Sequence, residues 1–174
     1  MALVVEDGSG KSDAEAYVSV DFADTYFTNR KGSTAWNDSA VTTSDKEAAI
    51  RNATAYLDRR YNGIWIGRRV YKEQALAFPR TDIIDIDGFA VGNDDVPTNL
   101  EQACCEAAVL ALSEDLLADL VNTGIISEES VSVGSVASTT KYEGGKSQIK
   151  TYRKVTTLLR GMLRNQGTIV MERG

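Results

Sequence analysis

The first residues that could do chemistry form a glycine-rich loop, Gly8-Ser9-Gly10-Lys11-Ser12. When such a loop precedes a helix, its backbone N–H groups cradle phosphates and its lysine reaches the phosphate oxygens. The full pattern also needs glycine at position 5, where this chain has Val5. Glu6 and Asp7 would place negative charge where phosphates should bind. The sequence therefore predicts a flexible N-terminal loop and no nucleotide site.

A second candidate is the acidic turn Asp85-Ile86-Asp87-Gly88, which is similar to part of a calcium-binding loop. In the register of an EF-hand, position 1 would be Ile83, which cannot ligate a cation. Position 12 would be Asp94 instead of a bidentate glutamate. The favoured interpretation is a solvated acidic turn, and a weak cation site of another type is the open alternative.

Nucleophilic and metal chemistry have little support in the composition. The chain has no histidine, which excludes Ser-His-Asp and Cys-His mechanisms and every His-containing metal site. The two cysteines, Cys104 and Cys105, lie in an apolar stretch, where burial raises the thiol pKa and makes the group inert. No spacing among the 25 Asp and Glu residues singles out a catalytic pair. We expect a protein that is not an enzyme, with no catalytic residues, no metal site and no cofactor.

The formal net charge of −6 hides two segments of opposite sign. Residues 1–140 carry 11 Lys and Arg against 23 Asp and Glu, a net charge of −12. Residues 141–174 carry 8 against 2, a net charge of +6. Such segregation favours a contact role for the basic end. The sequence has neither the pattern of a signal peptide nor an apolar stretch long enough to span a bilayer, so we expect no membrane partner.

The elements that must position these residues are mainly helical. Ser19 can cap a first helix, because a serine side chain accepts a hydrogen bond from the first turn. Ser44 and Glu47 have the S-x-x-E spacing of a capping box, which predicts that a second helix begins there. Asn62-Gly63 is expected to end that helix.

A long third helix is predicted from about Thr98 to Leu120. Between Ala103 and Leu112 the only charged residue is Glu106. A helix that is apolar nearly all round is usually buried, so we expect this helix to be the centre of the fold.

The last third of the chain predicts a different arrangement. Residues 130–150 are rich in Ser, Thr and Gly, which predicts a β-hairpin or an extended arm before a last amphipathic helix. The predicted fold class is mainly α: a small helical bundle with a central buried helix, a short β-hairpin or extended arm, and a C-terminal helix. The predicted organisation is a helical core domain over 1–124, the arm over 125–150, and the amphipathic helix and tail over 151–174.

The basic end offers two candidate contact features. Arg153, Arg160 and Arg164 fall on one face of the last helix, opposite its apolar stripe. The β-prone run Ile169-Val170-Met171 could add a strand to the sheet of a partner. We predict that these six residues dock a partner protein. The alternatives are a solvated helix face and a frayed terminus.

Four blocks of sequence within roughly residues 1–120 carry a family resemblance. They are Tyr17–Tyr26, Lys46–Asp58, Gly67–Gly88 with its core Gln74-Ala75-Leu76-Ala77-Phe78-Pro79-Arg80, and Val96–Ala108. In this order they resemble a family of tailed-bacteriophage head–tail connector (adaptor) proteins. Some members of that family are catalogued as DnaT-like single-stranded-DNA-binding proteins.

The resemblance implies a structural virion protein that forms a homo-oligomeric ring, commonly of about twelve copies, beneath the portal protein. Such a ring would extend the channel through which double-stranded DNA passes without sequence-specific binding. It would also hold a downstream neck or tail-completion protein. The location would be the virion neck, after synthesis in the cytoplasm of the bacterial host. An acidic body suits such a channel, because like charge prevents adhesion of DNA.

The alternative function is that of a DnaT-like single-stranded-DNA-binding protein. Binding of this kind requires several phosphate contacts and is strongly salt-dependent. The acidic balance and the scarcity of aromatics among the basic residues disfavour it, because bases stack on aromatic side chains. The basic C-terminal end leaves it open, and the connector function is the main prediction.

Overall fold

The structure is a computed structural model that describes residues 3–30, 34–85, 88–118, 126–132, 137–142 and 150–164. These residues are mainly helical, with one longer antiparallel hairpin, which confirms the predicted fold class. The helices are α1 (Val20–Thr28), α2 (Thr43–Arg60), α3 (Thr98–Ala111) and α4 (Arg153–Leu159), and a 3₁₀ turn (Arg160–Met162) continues α4. The strands are β1 (Arg68–Arg69), β2 (Arg80–Thr81), β3 (Ile126–Ser132) and β4 (Ala137–Tyr142). None of the described helices is long and apolar enough to cross a membrane.

Helix α3 is the buried centre of the fold, as predicted. It packs against α1, α2 and α4. Its buried residues are mostly small, which lets the neighbouring helices approach closely: Leu100, Ala103, Cys104, Cys105, Glu106, Ala107 and Ala108. The one charged member, Glu106, accepts hydrogen bonds from the Tyr26 hydroxyl (2.8 Å) and from Lys154 Nζ (2.6 Å). A buried carboxylate is tolerated where it is paired and hydrogen-bonded in this way.

The start of α2 differs from the prediction by two residues. Thr42, not Ser44, is the N-cap: its side chain accepts a hydrogen bond from the Asp45 backbone N–H (3.2 Å). The Asp45 carboxylate accepts one from the Thr42 backbone N–H (2.9 Å). Thr and Asp are alternative residue types for the same reciprocal motif. The predicted pair, Ser44 and Glu47, therefore lies inside the helix.

The end of α3 also differs from the prediction. The helix ends at Ala111, not near Leu120, and residues 112–117 are mostly turns and bends. The Ser113 hydroxyl donates a hydrogen bond to the Leu110 carbonyl (3.1 Å), and the Ser113 backbone N–H donates to the same oxygen (3.0 Å). A serine that bonds to the nearby backbone competes with helix continuation.

The described residues separate into two compact units. Met1–Leu116 together with Tyr152–Gly174 form the first, which contains all four helices. Leu117–Thr151 is the second. Within it, β3 and β4 pair antiparallel, with Ser132 opposite Ala137 and Ile126 opposite Tyr142. Of the two predicted forms of this segment, the structure has the β-hairpin.

Candidate anion-binding cleft

A basic concavity lies at the C-terminal end of α2 and has a volume of about 570 Å³. Its walls come from that helix end, the following loop, the β1–β2 pair, residues 75–77 and the chain after the 3₁₀ turn. Five arginines line it: Arg59, Arg68, Arg69, Arg80 and Arg164. Asp58 is the one carboxylate among its lining residues.

Glycines let the loop after α2 turn back toward the helix end. Tyr61 caps α2, and Gly63 then takes a φ of +79°, a left-handed conformation that favours glycine. Gly67 has a φ of +64°, and a Cβ there would lie 2.1 Å from the Thr81 carbonyl oxygen. Only glycine fits this approach, and β1 can then pair with β2 so that Arg69 lies opposite Arg80.

Arg164 reaches the cleft through backbone pairing, not as part of a helix. After the 3₁₀ turn, Leu163 forms an antiparallel bridge with Trp65. The Ile66 N–H donates to the Met162 carbonyl (3.0 Å), and the Arg164 N–H donates to the Ile64 carbonyl (2.8 Å). The prediction that Arg164 lies on a face of the last helix is therefore wrong, because the 3₁₀ turn ends at Met162 and these bonds hold the chain beside the loop after α2.

Arg80 is half-buried, and its hydrogen bonds hold the walls of the cleft in place. Its guanidinium donates to the carbonyl oxygens of Ile66 (2.8 Å), Gly67 (2.8 Å) and Ala77 (3.2 Å). Burial lowers its pKa, and the positive charges of Arg164 and Arg69 lower it further. The guanidinium groups of the cleft therefore repel one another, and an anion between them would relieve that repulsion.

The other arginines extend into solvent. Arg68 is bound to Asp82 by an ion pair of 3.0 Å. The side chains of Arg59, Arg69 and Arg164 are exposed, and among the described residues no carboxylate lies within ion-pair distance of them. These three guanidinium groups have their hydrogen-bond donors available for a ligand.

The negative charge of Asp58 offsets part of this positive charge, and hydrogen bonds from the protein interior fix the position of its carboxylate. Its carboxylate accepts hydrogen bonds from the Tyr17 hydroxyl and from the Ala77 N–H (2.9 Å). Burial raises its pKa, although these hydrogen bonds and the charges of Arg69 and Arg80 act in the opposite direction. The carboxylate therefore anchors the 75–77 wall to the core instead of pairing with the exposed arginines.

Of the three predicted contact arginines, one lines this cleft. Arg164 lines the cleft, whereas Arg153 and Arg160 are exposed on α4 and the 3₁₀ turn and do not line it. Ile169, Val170 and Met171 lie outside the described residues. The other four arginines of the cleft are not among the predicted contact residues. The sequence does contain a local cluster of basic residues that could have indicated these four arginines. Residues 59–80 carry six Lys and Arg and one acidic residue, although residues 1–140 as a whole are strongly acidic.

The glycine-rich loop near the N-terminus binds a carboxylate of its own chain. Glu6 is buried and accepts hydrogen bonds from the N–H groups of Gly8 (2.9 Å), Gly10 (2.8 Å) and Lys11 (2.9 Å). Glu6 thus occupies the position that a phosphate would take, so the loop is not open to a nucleotide. The prediction of a flexible loop is corrected accordingly: internal hydrogen bonds hold it.

The remaining candidates are the two cysteines and the acidic side chains. Burial raises the pKa of the Cys104 thiol to about 12, and that of Cys105 is raised for the same reason. A thiol in such surroundings is a poor nucleophile. No group of three or more acidic or cysteine side chains that could hold a metal is found among the described residues. Part of the acidic turn, residues 86–87, lies outside them.

Fold and site together define a small, mainly α protein with an arginine-lined cleft suited to anions. Comparison with protein families then identifies it more closely. The model of the family described as "Putative DnaT-like ssDNA binding protein" matches residues 1–174, so the chain belongs to this family. No curated protein and no solved structure matches the chain. The family match agrees with the DnaT-like part of the resemblance and gives no support to the head–tail connector part.

Proposed function

We propose that this protein binds single-stranded DNA and that the arginine cleft holds the phosphate backbone. The observation that carries the proposal is the set of three exposed guanidinium groups, Arg59, Arg69 and Arg164, around one cleft without carboxylate partners among the described residues. Arginine binds phosphate oxygens in a bidentate manner, and such contacts supply most of the affinity in non-specific DNA binding. The family name supports the same function.

The cleft also removes the main objection to this function, which was the acidic character of the body. Binding depends on the local field and not on the net charge of the chain. The carboxylates nearest the cleft are engaged: Asp58 with Tyr17 and Ala77, and Asp82 with Arg68. The surface offered to a strand is therefore positive.

The test compares two double variants that remove the same charge. Arg69→Ala with Arg164→Ala should weaken binding of a fluorescent oligothymidylate by about a hundredfold at low salt, with loss of about 1.4 kcal/mol per contact. Arg153→Ala with Arg160→Ala, outside the cleft, should bind like the wild type. Fluorescence anisotropy measures both, and circular dichroism checks that both are folded. Equal losses in the two variants, or no binding by the wild type, would overturn the proposal.

A second candidate function is the head–tail connector, and a different surface favours it. Ile84 and Phe89, in the segment that carries the acidic turn, are 62% and 71% exposed. Asp82, Asp94 and Asp95, also exposed, lie close to them in the chain. Exposed apolar side chains among carboxylates suit a protein partner and not DNA. Under this proposal the protein forms a ring of about twelve copies that contacts portal protein through this exposed surface as well as through the predicted docking residues, Arg153, Arg160, Arg164 and the 169–171 run.

Native mass spectrometry of the purified chain, alone and with portal protein, tests this second function. A closed ring that associates with portal, and loses that association when Phe89 is replaced by Asp, would support it. A chain that remains monomeric and does not bind portal protein at micromolar concentration would overturn it. Binding of single-stranded DNA is measured separately, so the result for one function does not decide the other.

A further inference from the structure

The three free arginines of the cleft come from separate elements but line the same concavity. Arg59 is at the end of α2, Arg69 in β1 and Arg164 after the 3₁₀ turn, yet all three line one concavity of about 570 Å³. Arg69 and Arg164 are both close enough to Arg80 for their charges to act on it. A volume of this size suits a nucleotide-sized ligand and not a long stretch of strand.

From the presence of three exposed arginines in one concavity of this volume we propose that the cleft is selective for the terminal phosphate of a single strand, a phosphate monoester, over the internal phosphodiesters. The proposal rests on the function proposed above, because it assumes that the strand enters the arginine cleft. Its ligand class is a phosphate monoester carried on a nucleotide.

The charges and oxygens of the two phosphate types differ. An internal phosphodiester carries one negative charge and two free oxygens. A terminal monoester carries about −1.5 to −2 charges at pH 7 and offers three strong acceptor oxygens. Three guanidinium groups lining one concavity can engage three oxygens as well as two, and the second negative charge offsets more of the repulsion within the cleft.

The aromatic side chains of the described region support recognition through phosphate and not through stacked bases. Trp65 is the only aromatic residue that lines the cleft, and it is 3% exposed. Phe78 packs edge-on against it at 5.1 Å between ring centroids, and Tyr61 lies at 5.5 Å. Its ring is therefore covered by protein. Tyr71, which is half-exposed, does not line the cleft. Without an open ring, the cleft lacks the platform on which strand-tracking proteins stack bases.

Three oligothymidylates of identical length test the inference: one with a 5′-phosphate, one with a 3′-phosphate, and one with hydroxyl groups at both ends. We expect the full chain to bind one of the phosphorylated strands about tenfold more tightly than the hydroxyl-ended strand, a difference of about 1.4 kcal/mol. Which end is preferred identifies the polarity of the bound strand. Inorganic phosphate should compete with the preferred strand.

Equal affinity for all three strands would overturn the inference and leave single-stranded-DNA binding intact. Absence of binding to all three would overturn the proposed function itself. Arg164→Lys keeps the charge but removes the bidentate geometry, so it should reduce the preference for the phosphorylated end more than the affinity for the hydroxyl-ended strand. Arg153→Lys, outside the cleft, should leave the preference unchanged. A preference retained in full by Arg164→Lys would also contradict the role given to this side chain.

Discussion

At the scale of single residues, the same side-chain type serves two purposes in the cleft. Arg80 directs its donors at three backbone carbonyl oxygens and so fixes the walls. Arg69, opposite it in the β1–β2 pair, is exposed and has no ion pair among the described residues. Position in the fold, and not residue type, decides which arginine holds the protein and which is available to a ligand.

This difference predicts unequal effects of one conservative change. Arg80→Lys keeps the positive charge but cannot reach three carbonyl groups, so it should lower the free energy of unfolding by about 1–3 kcal/mol. Arg69→Lys should leave stability close to that of the wild type, because its side chain is exposed. Urea denaturation of the two variants measures both values. Equal stabilities would contradict a structural role for Arg80.

Glu6 provides a second prediction at this scale. Glu6→Gln replaces one acceptor oxygen by an NH₂ group, which cannot accept from the loop N–H groups of Gly8, Gly10 and Lys11. Because Glu6 is buried, the unpaired N–H should lower the free energy of unfolding by about 1–3 kcal/mol. Asp13→Asn, at an exposed position of the same loop, is the control and should behave like the wild type. A wild-type unfolding midpoint for Glu6→Gln would mean that the carboxylate does not hold the loop.

At the scale of elements, hydrogen bonds at the ends of helices decide boundaries that hydrophobic periodicity leaves open. The apolar stripe of α2 is evident in the sequence, but Thr42 and Ser44 are both N-cap residue types. Asp45, three residues after Thr42, completes the observed box. The hydrogen bond from the Thr42 hydroxyl lowers the Asp45 pKa, and the bond from the Thr42 N–H adds to this effect.

The two candidate caps can be separated by a matched pair of variants. Thr42→Ala should destabilise the protein by about 1 kcal/mol, as loss of an N-cap usually does. Ser44→Ala, inside the helix, should be neutral or slightly stabilising, because alanine is the better helix former. Thermal unfolding at neutral pH measures both.

The pH dependence of the capping box has a defined sign. Because the folded-state pKa of Asp45 is lowered, its contribution to stability is complete above the ordinary aspartate range near pH 4. That contribution is lost as the pH falls through the folded-state pKa. The difference in stability between wild type and Thr42→Ala should therefore shrink below about pH 4. If Ser44→Ala destabilised the protein more than Thr42→Ala at neutral pH, the result would support the predicted capping box of Ser44 and Glu47 instead.

At the scale of the whole molecule, charge is distributed in patches that the net charge conceals. The chain is acidic, with a net charge of −6, yet one cleft collects five arginines from separate parts of the sequence. Arg164, from the basic end, joins four from the acidic body in that cleft. The division into acidic body and basic end is therefore real in the sequence but does not coincide with the cleft.

This distribution predicts a moderate, cleft-dependent salt effect. If each of the three arginines makes one contact with phosphate charge, on the terminal phosphate or beside it, the slope of log affinity against log salt should be about −2 for single-stranded DNA, at about 0.7 per contact. Arg69→Ala should reduce its magnitude by about 0.7, and Arg160→Ala should not change it. Titrations between low and physiological salt measure the slopes. An unchanged slope in Arg69→Ala would place the strand elsewhere.

The sequence by itself determined the mainly helical class, the buried α3 and the absence of histidine chemistry, and it left a β-hairpin and an extended arm as alternatives over residues 125–150. These depend on local propensity, hydrophobic periodicity and composition, which are properties of short stretches of chain. The tertiary structure alone decided that Arg164 lies beside Arg69 and Arg80, and that Glu6 fills its own glycine-rich loop. Both depend on backbone turns at glycines and on pairing between distant segments, such as Leu163 with Trp65. The free energy of such contacts comes from residues far apart in the chain, and no local pattern encodes it.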